Sequence, residues 1–246
     1  MKHPSLVLTG GISALAPRNA LGNILRSSDA APLVFTPGKQ NPDPRDSSGT
    51  EDDVITSCFE ILTNHGITRI AGDQFSAEAS ALSTLMAKDM LTASPNIVIV
   101  HTPTLAGRLS AEANAWYFTE KFQAHTTLIE CPPFEPDQHD SLKHASGAFI
   151  GTLSRILSNY APACYFAPIG GYKAMTALGY LAGSLHGVPS IYLHEDSQIP
   201  QVIAPAPITL PADARESIAP LARKIGSVTE LSSLSFDERK IIDSYP

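Results

Sequence analysis

The strongest constraint on this chain is an alternation of short apolar or β-branched runs with segments of helical length. The runs are Ser5–Thr9, Asn96–His101, Thr126–Cys131, Ala163–Ala167 and Ser190–His194. Between them lie the periodic segments Glu51–His65, Phe75–Leu91, Leu105–Phe122, Asp140–Ser158 and Tyr172–His186. In the last of these, Met175, Leu178, Leu181, Ala182 and Leu185 recur at spacings of three and four, which predicts one buried helix face. Strands that are apolar throughout belong in a parallel sheet with helices on both faces. The expectation is therefore an α/β, doubly wound, mostly parallel sheet.

The pattern changes after Ser190–His194. Pro200, Pro205, Pro207 and Pro211 surround Val202–Ile208, and proline is excluded from central strands, so this stretch predicts an edge strand or hairpin return. A body over residues 1–210 and a short helical extension over 211–246 are expected, with helices near Asp213–Lys224 and Ser235–Tyr245. Ser235 is placed to cap the second, with Glu238 as its capping-box partner. So small an extension needs the body or a partner subunit to pack against. Thr36–Thr50 mixes Pro, Gly, Ser and Asp without periodicity and reads as a long loop.

Composition removes several function classes. At 43% hydrophobic and 17% charged residues the chain can bury a core. A net charge of −7 disfavours a broad DNA-binding face but leaves room for a small anion held by a few cations and amides. No apolar stretch approaches the roughly 20 residues that span a bilayer, and the first residues do not form a secretory signal. A cytoplasmic chain with no membrane partner is expected. Cys58, Cys131 and Cys164 are odd in number and form no CxxC pair, which supports neither a zinc knuckle nor a disulfide framework. His139 and His144 are five apart and miss the spacing of a helical metal pair, so neither metal nor cofactor is expected.

Two strand ends carry the chemistry. The first reads Thr9-Gly10-Gly11-Ile12-Ser13, where glycines allow close backbone approach and a hydroxyl follows. It is not GxGxxG, so a nicotinamide-dependent oxidoreductase is disfavoured. The second reads Ile169-Gly170-Gly171-Tyr172-Lys173 and enters a helix. Lys173 stands against the helix dipole there, which points to an anionic partner, although an exposed lysine at a helix start is also common. Both turns follow carboxyl ends of parallel strands, the edge where open α/β sheets bind ligands, so Ser13 and Lys173 can meet although 160 positions apart. Thr104 and Arg108 follow a third strand toward the same edge, and Thr104 is equally suited to cap the next helix. His194-Glu195-Asp196 closes the last parallel strand, where Glu195 could serve acid–base chemistry or hold a loop. Trp116, Tyr117, Phe118 and Phe122 read as core rather than as a stacking platform.

These segments together resemble the CRISPR-associated Rossmann-fold (CARF) family. Gly170-Gly171-Tyr172-Lys173 resembles that family's Asn-x-Thr-Gly-Gly-Phe/Thr-Lys turn, and Tyr192 to Glu195 its Tyr-x-x-Glu-like strand. Gly11-Ile12-Ser13-Ala14-Leu15, with Asn19 beyond, resembles its Gly-Thr-Ser-Leu-Leu-Thr-Asn turn. Ser76-Ala77-Glu78-Ala79-Ser80-Ala81-Leu82 resembles its Ser-Ala-Glu-x-x-Ser-Leu helix, and Thr104-x-x-Gly107-Arg108 its Asp-Thr-x-x-Gly-x motif. The pieces run in order over roughly residues 5 to 210. Ala167-Pro168-Ile169 and Ile12 stand where the family carries polar residues.

The resemblance implies a Rossmann-like homodimer that binds cyclic oligoadenylate, with the symmetric cyclic tetra-adenylate favoured. The tail carries no Arg-x-x-x-x-His ribonuclease motif, and its charges are balanced. What remains is similar to a standalone ring nuclease, in which the ribose 2′-OH attacks its own phosphate without metal. On that reading Ser13 and Lys173 are the catalytic pair. Gly10, Gly11, Ile12, Thr104, Arg108, Gly170, Gly171, Tyr172 and Glu195 are the ligand-binding set. The alternative is a non-catalytic sensor that holds the ring and signals to a partner through its C-terminal helices.

Overall fold

The computed structural model describes residues 2–34, 51–66, 69–131, 139–171, 173–193 and 199–208. Six strands form one sheet in the order β3-β2-β1-β4-β5-β6. They are β1 (His3–Thr9), β2 (Leu91–His101), β3 (His125–Glu130), β4 (Cys164–Ala167), β5 (Ser190–Leu193) and β6 (Pro200–Ile203). β1 to β5 pair in parallel, and β6 returns antiparallel on β5 at the sheet edge. This is a Rossmann-like doubly wound sheet, as the alternation of strands and helices requires.

Strand side chains alternate between two cores. Leu6 and Leu8 of β1 and Ile97 and Ile99 of β2 face one cluster. It is filled from α1 (Ala20–Arg26), α3 (Glu51–Asn64), α5 (Ala77–Ala87) and α6 (Leu105–Phe122). Val7, Val98, Val100 and Phe166 face the other, filled by α7 (His139–Tyr160) and α8 (Lys173–Leu185). Each fully buried Leu or Phe in these layers contributes about 1.5–3 kcal/mol of transfer free energy. Tyr117 and Phe118 are completely buried, and Tyr117 stacks on Phe75 at 4.3 Å, so the α6 aromatics are core.

Three local expectations are corrected. The predicted helix over Phe75–Leu91 is broken, because α4 (Gly72–Phe75) stops at Ser76, which is extended and caps α5 by accepting from the Ala79 N–H at 2.8 Å. Leu91 already belongs to β2, after a turn in which Asp89 takes φ 58°. Helices α1 and α2 (Ala31–Val34) are additions that the periodicity did not mark. In α8 the buried positions are Met175, Gly179, Ala182, Gly183 and Ser184, and Leu178 packs half-buried against the core, while Leu181 and Leu185 are 43% and 42% exposed. The cause is close approach: a Cβ on Gly179 would lie 2.6 Å from Cζ of Phe166, so the helix turns its glycines to the sheet in place of Leu181 and Leu185. The expected loop Thr36–Thr50 and the helices Asp213–Lys224 and Ser235–Tyr245 lie outside the described residues.

Candidate functional site

The strand order reverses between β1 and β4. The chain leaves β1 toward one face of the sheet and β4 toward the other, which opens a crevice at their carboxyl ends. The two glycine turns meet there. The Gly170 N–H donates to the Thr9 carbonyl at 3.0 Å, and Thr9 Oγ1 donates to the Gly170 carbonyl at 2.7 Å. A Cβ on Gly11 would lie 2.7 Å from the Gly171 nitrogen and 3.1 Å from the Gly170 Cα. Gly171 takes φ 95°, a left-handed conformation that only glycine adopts without strain. The convergence expected for these turns is thus a backbone-to-backbone contact.

Beneath the contact lies Glu78, on the first turn of α5 and completely buried. Its Oε1 accepts from the Gly11 N–H at 2.7 Å, and its Oε2 accepts from Ser13 Oγ at 2.5 Å. Ser13 Oγ in turn accepts from the Ala77 N–H at 3.1 Å, and the Ser13 carbonyl accepts from Asn19 Nδ2 at 2.5 Å. This use of the Asn19 side chain explains why it makes no cap bond to α1, whose N-cap it occupies. Burial pushes the Glu78 carboxyl above the usual carboxylate range, and the Ser13 and Gly11 donors pull back against that. Ser76 completes the support by donating to Asn114 Oδ1 at 2.6 Å inside the core.

The glycine amides are mostly spent internally. Gly10 donates to the Val100 carbonyl at 2.8 Å, Gly11 to Glu78 and Gly170 to Thr9. Among the described residues the Gly171 amide is the one of the four left for a ligand, and Gly171 is exposed. Ile12 packs its side chain against the core. Thr104 caps α6 by accepting from the Gly107 N–H at 3.1 Å. Arg108 is paired with Glu112 at 2.8 Å and Asp52 at 2.7 Å, which ties α6 to α3. Lys173 opens α8 three positions after Gly170, but its side chain, like Tyr172 and Glu195, lies outside the described residues.

A cavity of about 480 Å³ adjoins the Ser13 turn. Arg18, Asn19, Asp73, Gln74, Ser76 and Ser80 give it polar lining, and Ala77, Ile169, Ile191, Tyr192 and Leu193 complete it. A lining of mixed polar and apolar groups suits a heterocycle attached to a polar backbone. A depression of about 590 Å³ runs along α3 to Glu112 and includes no strand-end residue, so it is not joined to this chemistry. Among the described residues no group of three metal-ligating side chains comes together, and no helix is long and apolar enough to cross a membrane.

The family model described as CRISPR-associated protein (Cas_APE2256) matches residues 73–205, just over half of the chain. The chain belongs to that family. Among curated proteins, none matches it. The Cas_APE2256 match spans α4 through β6 and so includes Glu78, Thr104, Arg108, Gly170, Gly171 and Lys173. Ser13 and the first glycine turn precede it. Membership gives this chain a CRISPR-related role.

Sequence reasoning quoted Glu78 within a motif but did not place it in the site. A carboxylate in the first turn of a helix ordinarily favours the dipole and faces water. The signal that marks it is its setting in Ala77–Ala87, where Ala, Ser and Leu leave almost no polar face.

Proposed function

We propose that this chain is a ring nuclease. It binds a cyclic oligoadenylate, cyclic tetra-adenylate before larger rings, over the two glycine turns and cleaves it without metal. The observation that carries this reading is the contact of Gly11 with Gly170 and Gly171 at the switch point of the sheet, with Ser13 and an open cavity beside it. Bases would enter the cavity, and a phosphate would lie at the Gly171 amide near the start of α8.

In the reaction the ribose O2′ forms a bond to phosphorus and the phosphorus–O5′ bond breaks. The product is linear and ends in a 2′,3′-cyclic phosphate. Ser13 orients the 2′-OH for in-line attack, and Lys173 offsets the negative charge that builds on the phosphoryl oxygens. Two protomers related by a two-fold axis would present equal sites to a symmetric ring. Exposed Leu181, Leu185, Val202 and Ile203 offer apolar surface for such a pairing.

The test is incubation with cyclic tetra-adenylate and, separately, cyclic hexa-adenylate in EDTA, followed by mass spectrometry. Linear adenylates with a 2′,3′-cyclic phosphate end support the reading and name the preferred ring. A ring that stays bound and intact makes the chain a sensor instead. A Lys173→Ala variant that binds and cleaves normally removes Lys173 from the site.

A further inference from the structure

Ser13 has a fixed hydrogen-bond polarity. Its hydroxyl proton is donated to Glu78 Oε2 at 2.5 Å, and one oxygen lone pair is taken by the Ala77 N–H at 3.1 Å. A hydroxyl has one proton and two lone pairs, so what Ser13 offers a ligand is one acceptor site and no donor. It is therefore built to receive a proton from a ligand hydroxyl rather than to donate one to a phosphate oxygen. The carboxylate behind it is completely buried and reaches the crevice through Ser13.

We propose that Glu78 is the terminal proton acceptor of the cleavage step and acts through Ser13 as a positioning residue, an inference that rests on the ring-nuclease reading. The ribose 2′-OH passes its proton to Ser13 Oγ as Ser13 passes its own to Glu78 Oε2. O2′ then bonds to phosphorus, the phosphorus–O5′ bond breaks, and O5′ takes a proton from water. The proton on Glu78 returns through Ser13 to the hydroxide so formed once product has left. No oxidant, metal or other co-reactant is needed.

The setting of Glu78 fits this task. The groups facing it are the Gly11 amide and Ser13 from the first turn, Gly170 from the second, and Ser76 and its own backbone amide from its helix start. Among the described residues no charged side chain acts on it, and Lys173 follows Gly170 by three positions. A carboxyl with raised proton affinity is a better base near neutral pH than an ordinary one.

Glu78→Gln separates a relay from a mere prop. The amide can still accept from the Gly11 N–H, but its NH₂ would donate to Ser13 Oγ and reverse the hydroxyl's polarity. The full chain would be assayed with cyclic tetra-adenylate for binding and for single-turnover cleavage from pH 4.5 to 9. Glu78→Gln is expected to bind within a few-fold of wild type, to cleave about 10²–10⁴-fold more slowly, and to lose the acid limb of the profile. Glu78→Asp should recover part of the rate and keep that limb. In wild type the limb should coincide with titration of the Glu78 carboxyl followed by ¹³C NMR.

Wild-type cleavage beside a Glu78→Gln variant with the same rate and profile overturns the relay alone. A wild-type rate that is flat through the carboxyl titration overturns it as well, even where the variant does not fold. Wild type that leaves every ring intact overturns the relay together with the ring-nuclease reading.

Discussion

Gly11 and Gly170 approach so closely that neither has room for a methyl group: a Cβ on Gly11 would sit 3.1 Å from the Gly170 Cα and 2.7 Å from the Gly171 nitrogen. The obstacle is backbone on both sides, so it cannot be relieved by rotating a side chain. Gly11→Ala should therefore lower stability by about 1–3 kcal/mol, as overpacking does elsewhere. Urea denaturation measures this. A loss below about 0.5 kcal/mol would mean that the two turns are not held together.

Glu78 makes stability depend on pH in a defined direction. Its folded-state carboxyl is raised above its unfolded value, so the folded chain binds the proton more tightly. That contribution is fully present below the unfolded carboxylate range and is lost as pH rises through the raised value. Wherever the carboxyl is ionised its buried charge is a cost, and there Glu78→Gln should melt higher than wild type, by about 2–4 °C for each kcal/mol relieved. The gap should close on acidification. Melting curves at pH 7.5 and pH 4.5 check both halves, and a variant that melts lower at pH 7.5 contradicts the account.

Ser76→Ala removes two bonds with one oxygen. The Ala79 amide loses its cap, and Asn114 Oδ1 loses its donor inside the core. Lost caps cost about 1 kcal/mol, and an orphaned buried acceptor about 1–3 more. Chemical denaturation should show a loss of about 2–4 kcal/mol. Ser76→Thr keeps the oxygen and should lose less.

The three cysteines are buried and free, and burial pushes each thiol up to about 11. At pH 8 roughly one thiol in a thousand is then thiolate, the reactive form. A chromogenic disulfide reagent should label native chain slowly and release three equivalents on denaturation. Fast labelling of even one cysteine in native chain would place it at the surface.

What could be read from residues follows from what burial requires locally. A parallel strand buried on both faces needs an apolar side chain at nearly every position, so the strand runs Asn96–His101 and Ala163–Ala167 stand out in the sequence and recur as β2 and β4. The meeting of the glycine turns was legible for a similar reason, since topology puts all parallel carboxyl ends on one edge. Leu181 and Leu185 misled because α8 carries two stripes at helical spacing, and the packed one uses Gly179 and Gly183, which hydrophobicity does not mark. Glu78 was hidden for the opposite reason. Its residue type signals water, and its burial is decided by β1 and β4, both remote in sequence.

The bond from Thr9 to Gly170 joins residues 161 positions apart. During synthesis β1 emerges early and β4 late, with β2 covering one flank of β1 in between. At ribosomal speeds of about 5–20 residues per second, the other flank waits on the order of ten to thirty seconds for its partner. In that interval an apolar strand edge stands open to any neighbouring nascent chain. Slow translation before Cys164, or a stop placed there, should send the product to inclusion bodies or to chaperones.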